Sequence, residues 1–152
     1  VVRRFQFKRG IALLGFSLAV GAYAESLHTG AATPRHFIAQ IEAHTPHEIS
    51  DILMRLDGIL QSEEGFPTSE PLALVLHGEE VRTFLRENYA DNREIVDLAA
   101  RLDAFNAIDI QVCETWLRGA SITKSELPAF VDTVPYGPAQ EKALIEQGYE
   151  YF

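Results

Sequence analysis

The chain has 152 residues, of which 47% are hydrophobic and 23% charged, with a formal net charge of −9. That length fits one domain with a core able to stand without disulfides or metal, and the composition argues against a disordered chain. The acidic balance weighs against nucleic acid as a partner, because phosphate contacts need a basic surface.

The N-terminus reads as a targeting segment. Arg3, Arg4, Lys8 and Arg9 precede an apolar run from Ile11 to Val20, and Ala22-Tyr23-Ala24 supplies a small-x-small site. These are the three marks of a secretory signal peptide, and the run is shorter than the roughly 20 residues a spanning helix needs. The reading predicts cleavage after Ala24 and a periplasmic product. Arg3-Arg4 leaves both the general and the twin-arginine routes open. Residues 25–152 would then carry 9 basic and 22 acidic side chains, a charge of −13. No later stretch is long and apolar enough to span a bilayer. Residues 25–35, with Gly30, Thr33 and Pro34 and no periodicity, are expected to form a spacer, leaving a domain over 36–152.

Phe37 to His44 alternates in part and predicts a first strand. Thr45-Pro46-His47-Glu48 carries an N-cap, a proline suited to the first helical position and the glutamate of a capping box. Ile49, Ile52, Leu53, Leu56, Ile59 and Leu60 recur at helical spacing, so the helix should reach Gln61. Residues 62–71 hold Gly65, Pro67 and Pro71 and predict a loop. Leu72 to Leu76 is a continuous apolar run, the pattern of a strand buried on both faces. A short helix over Val81–Tyr89 and a longer one over Asn92–Phe105 should follow. Ile108 to Val112 predicts another buried strand, which delivers Cys113. A short helix over Thr115–Arg118, a single turn at Ser125–Leu127 and a strand at Thr133–Val134 come next. The chain should end in a helix over Pro138–Gln147, closed by Gly148, and a last strand over Tyr149–Phe152. Strands alternating with helices predict right-handed parallel βαβ units with helices on both faces of the sheet.

Functional groups in such sheets stand at the carboxyl ends of strands. Two ends carry chemistry: His77-Gly78 after the second strand and Cys113-Glu114-Thr115 after the third. If those strands are neighbours, His77 and Cys113 face one crevice. Cys113 is the sole cysteine, which precludes an internal disulfide and leaves a buried thiol, an intermolecular pair or a reactive group. A thiol attacks as thiolate, with an ordinary pKa of about 8.5, and a helix start or an imidazolium favours that form. Gly78 could leave a backbone N–H free to approach an anion or sulfur, and Glu114 would oppose the thiolate if it pointed the same way. The competing reading makes Cys113 a small core residue and His77 a loop or capping histidine. His44 and His47 are three apart with no third ligand nearby, so no metal is expected. No phosphate-binding glycine loop and no G-x-S-x-G elbow is present either, and no cofactor is expected. Glu63-Glu64 and Glu79-Glu80 read as solvated loop charges.

Three segments together carry a family resemblance: Leu74-Val75-Leu76-His77-Gly78, the strand ending in Cys113, and Val134-Pro135-Tyr136-Gly137 through Gln147-Gly148-Tyr149-Glu150-Tyr151-Phe152. In their order and spacing the chain resembles the DsrE/DsrF-like family. The resemblance implies a flavodoxin-like three-layer α/β/α sandwich with a mainly parallel sheet, and a homo-oligomer, trimeric or hexameric. It also implies a strand-end cysteine that accepts sulfane sulfur as a persulfide from a donor protein and hands it to an acceptor. That role maps onto Cys113 with His77 beside it. Gly78, Glu114, Thr115 and Tyr136 are the candidate binding residues. A non-catalytic oligomeric binding protein with a structural Cys113, and a thiol redox sensor, are the alternatives.

Overall fold

The computed structural model describes residues 35–62 and 70–152. The expected signal peptide, most of the spacer and most of the 62–71 loop lie outside the described residues. Five strands, β1 (His36–Ile38), β2 (Leu72–Leu76), β3 (Ile108–Cys113), β4 (Val131–Val134) and β5 (Tyr149–Tyr151), form one sheet. Its order is β4-β3-β2-β1-β5 and every pairing is parallel. The helices are α1 (Pro46–Gln61), α2 (Tyr89–Ala104), α3 (Glu114–Gly119) and α4 (Gly137–Glu146).

The strand order dictates the layers. From β1 to β4 each crossover steps in the same direction, so right-handed connections place α1, α2 and α3 on one face. The step from β4 to β5 reverses direction and sends α4 to the other. The core divides accordingly. Ile49, Leu53 and Leu56 of α1 and Val96, Ala99 and Leu102 of α2 pack on Leu72, Leu74, Leu76, Ile108, Ile110 and Val112. Leu144 of α4 packs on Ile38, Ala73 and Val75. This is a three-layer α/β/α sandwich of the flavodoxin-like kind. β2, buried at all five positions, is the centre of the sheet. Among the described residues no helix is long and apolar enough to cross a membrane.

Several elements differ from expectation for identifiable reasons. β1 stops at Ile38, because the N–H groups of Glu42, Ala43 and His44 bond the Glu48 carboxylate instead of a neighbouring strand. Thr45 does cap α1, its Oγ1 accepting from Glu48 N at 3.2 Å. Glu48 itself reaches past Thr45 to that turn, so the expected capping box is not closed reciprocally. The helix expected over Val81–Tyr89 is two 3-10 segments, Glu79–Phe84 and Arg86–Asn88, broken by an extended Leu85. Glu80, Val81, Thr83, Phe84 and Leu85 are all buried, a near-continuous run that one face of a regular helix does not accommodate. α2 begins three residues earlier than expected, with a break at Asn92. β4 is longer than expected. Gly148 closes α4 with a positive φ of 95°, the left-handed conformation that suits glycine at this position.

Candidate functional site

β2 and β3 pair in register, Leu76 opposite Val112, so His77 and Cys113 leave the sheet side by side. The crossover after β3 goes to one face and that after β4 to the other. The carboxyl ends of β3 and β4 are therefore a topological switch point, where parallel sheets open a crevice. Cys113 pairs with Val134 at that point. The chain then turns through Pro135 and Tyr136 into Gly137, the first residue of α4. A Cβ placed on Gly137 would lie 2.9 Å from His77 Cβ and 3.2 Å from Cys113 Cβ. The two side chains thus share one glycine as a neighbour, and their Cβ atoms are no farther apart than the sum of those distances.

Cys113 caps α3. Its Sγ accepts from Trp116 N at 3.4 Å, and the residue is only 2% exposed. His77 is more open, with 23% of its side chain exposed, and its Nε2 lies 3.2 Å from Glu141 Oε1 on α4. Glu114 turns away from the sulfur. Its Oε1 accepts from Thr133 Oγ1 at 3.0 Å, with Arg118 Nη1 3.8 Å from Oε2. Thr133 pairs with Val112, on the sheet face opposite Cys113. Thr115 Oγ1 donates to Pro135 O at 2.9 Å and so ties α3 to the β4–α4 turn. Tyr136 is the N-cap residue of α4 and is 52% exposed at the rim.

Two expectations are corrected. The Gly78 N–H is not free: together with His77 N it donates to Glu80 Oε1, each at 2.8 Å. Nor is Glu80 a solvated loop charge, because it is 0% exposed and its Oε2 lies 2.9 Å from His44 Nδ1. A Cβ on Gly78 would sit 2.6 Å from both Glu80 Oε2 and His44 Nδ1, so glycine is needed there for closeness and not for an unusual φ. The His44 ring contacts the His77 ring edge-on, centroids 4.9 Å apart. His44, Glu80, Gly137 and Glu141 are therefore site residues that the strand-end rule missed. The only local signal was a glutamate three residues after His77, placed to accept backbone N–H groups. His47 separates from His44 and pairs instead with Asp51, at 3.5 Å. Among the described residues no group of three or more His, Cys, Asp or Glu side chains is arranged to hold a metal ion.

No family model matches the chain, and no curated protein matches it. Among solved structures the chain is similar to the protein of unknown function MTH1491 from Methanobacterium thermoautotrophicum, with 18% identity and a TM-score of 0.53. The match covers 79% of this chain and 98% of that one. At that identity the likeness shows a shared α/β fold, and fold alone does not assign an activity.

Proposed function

We propose that this chain is an exported, oligomeric DsrE/DsrF-like protein of the periplasm that carries sulfane sulfur as a persulfide on Cys113. The observation that carries the reading is the meeting of Cys113 and His77 on Gly137 at the switch point, with Trp116 N on the sulfur. In the loading step the Cys113 thiolate attacks the outer sulfur of a thiosulfonate-type donor such as thiosulfate. A new S–S bond forms, the donor's S–S bond breaks, and sulfite leaves with the bonding pair. The thiol proton passes to solvent through His77. Sγ is almost fully covered, so loading requires the strand-end crevice beside the exposed Tyr136 to open to the donor.

The test is intact mass after incubation with thiosulfate and a sulfurtransferase. The expected result is a gain of about 32 Da, one sulfur atom, in the wild type and none in Cys113→Ser. No Cys113-dependent gain would refute the carrier reading. Size-exclusion chromatography with light scattering of residues 25–152 tests the oligomer, with a trimer or hexamer expected.

The 2% exposure of Cys113 favours a second reading, a binding protein with a structural thiol. An apolar groove of about 430 Å³, lined by residues including Phe84, Leu85, Tyr89, Val96, Pro128 and Phe130, would be its ligand site. Under this reading Cys113→Ser leaves ligand binding intact and the mass gain is absent. The same burial leaves the redox-sensor reading with the least support, since an intermolecular disulfide needs the sulfur at the surface.

A further inference from the structure

The β1–α1 turn is built to deliver a second histidine to the site. The N–H groups of Glu42, Ala43 and His44 converge on the Glu48 carboxylate at 2.7 to 3.0 Å. His44 is thereby held at a φ of 52°, a left-handed conformation that costs a non-glycine residue roughly 1 kcal/mol and persists only where its surroundings over-determine it. What the turn obtains is the contact of His44 with Glu80. Glu80 is fixed in turn by the His77 and Gly78 N–H groups on its other oxygen. A buried carboxylate on Nδ1 sets the tautomer of an imidazole: Nδ1 carries the hydrogen and Nε2 presents its lone pair. His44 Nε2 has no partner among the described residues, and one third of the side chain is exposed. The ionisable groups around it are Glu80, Glu48, His77 and, beyond His77, Glu141.

We propose that His44 Nε2 is the proton acceptor for the incoming thiol in the unloading step and that Glu80 is its positioning residue. The geometry stands by itself; the use of the proton rests on the persulfide reading. In the unloading step an incoming thiol gives its S–H proton to His44 Nε2. The resulting thiolate attacks the outer sulfur of the Cys113 persulfide. A new S–S bond forms on the acceptor, the bond to Sγ breaks, and Cys113 leaves as thiolate; His44 then returns its proton to solvent. His77, with Nε2 already committed to Glu141, supports His44 by ring contact.

The test separates the pair from the sulfur chemistry. Long-range proton–nitrogen spectra of the 15N-histidine protein at pH 8 should show His44 as the Nδ1–H tautomer. In Glu80→Gln the amide oxygen must stay on the two backbone N–H groups. The amide NH2 then faces His44 and turns it to the Nε2–H tautomer. Wild-type His44 found as Nε2–H, or a tautomer unmoved in Glu80→Gln, would overturn the proposal. Transfer to free cysteine, counted per loaded chain, should slow at least about tenfold in Glu80→Gln and in His44→Gln. His44→Gln alters a part-exposed side chain and so serves if Glu80→Gln does not fold. An unaltered transfer rate in His44→Gln overturns the proposal. A protein that takes up no sulfur but shows the expected tautomers refutes the carrier function and leaves the pair standing.

Discussion

The Glu48 carboxylate does its work in the folded state as an anion, collecting three backbone N–H groups of the β1–α1 turn. Partial burial pushes its carboxyl upward, but the bonds from Glu42, Ala43 and His44, with the nearby His44 charge, outweigh that and hold it below the ordinary value of 4.5. A depressed carboxyl stabilises the fold above the unfolded value, and the contribution is lost as pH falls through the lower folded value. Glu48→Gln keeps one acceptor oxygen and loses the charge. The expected cost at pH 7 is about 1 kcal/mol, below the range for buried charged hydrogen bonds because solvent reaches this turn. Urea melts should show that gap at pH 7 and its closure as pH falls below 4.5 through the depressed folded value. A gap that is constant with pH would mean that the turn is held by something other than the carboxylate charge.

Glycine has opposite meanings in two helices. Gly58 lies inside α1 with nothing within 4 Å of a Cβ placed on it. Gly58→Ala should therefore raise stability by roughly 0.5–1 kcal/mol, the ordinary helix preference. Gly137 opens α4 against His77 and Cys113, and the atoms in the way are Cβ atoms fixed by two central strands. Gly137→Ala should cost about 1–3 kcal/mol, the range for overpacking. Denaturant midpoints moving in opposite directions, at unchanged m-values, would check both. This contrast marks what was legible in the sequence. The extents of α1 and β2 and the strand-end positions of His77 and Cys113 followed from local pattern, because burial on one or both faces leaves a periodic trace. The 3-10 segments after β2 left a helix-like trace instead, since Val81, Phe84 and Leu85 are apolar whichever way the backbone turns. Gly137 and Glu141 join the site from α4, and His44 from the β1–α1 turn. No local pattern encodes those distances in space, so the site was half visible.

At the scale of the molecule, the reversal of direction at β4 leaves α4 as the one helix on its face of the sheet among the described residues. A helix is about 10 Å across, and five strands at about 4.8 Å spacing are wider. The part of that face beyond α4 is polar among the described residues. It holds Asp109 and Asp132, two buried polar atoms without a partner (Gln111 Oε1 and His36 Nδ1), and an exposed Tyr151. Burial pushes the Asp109 carboxyl above its ordinary value, with Asp132 and Asp103 adding to the effect and a bond from Gln111 Nε2 opposing it. For an acid raised in the folded state the folded chain binds more protons than the unfolded one. Stability therefore falls as pH rises through the unfolded value of 3.8 to the folded one. Above that window the charge opposes folding in full, and below it both states are neutral. Asp109→Asn keeps an oxygen for Gln111 Nε2 and removes the charge. It should stabilise the monomer by roughly 0.5–1 kcal/mol at pH 7, less than a fully buried group would give, and by nothing at pH 3. If the same face is where copies meet in the proposed oligomer, the gain at pH 7 should be larger at high protein concentration than at low, because association strips more water from the carboxylate. Equal gains at both concentrations would place the contact between copies elsewhere.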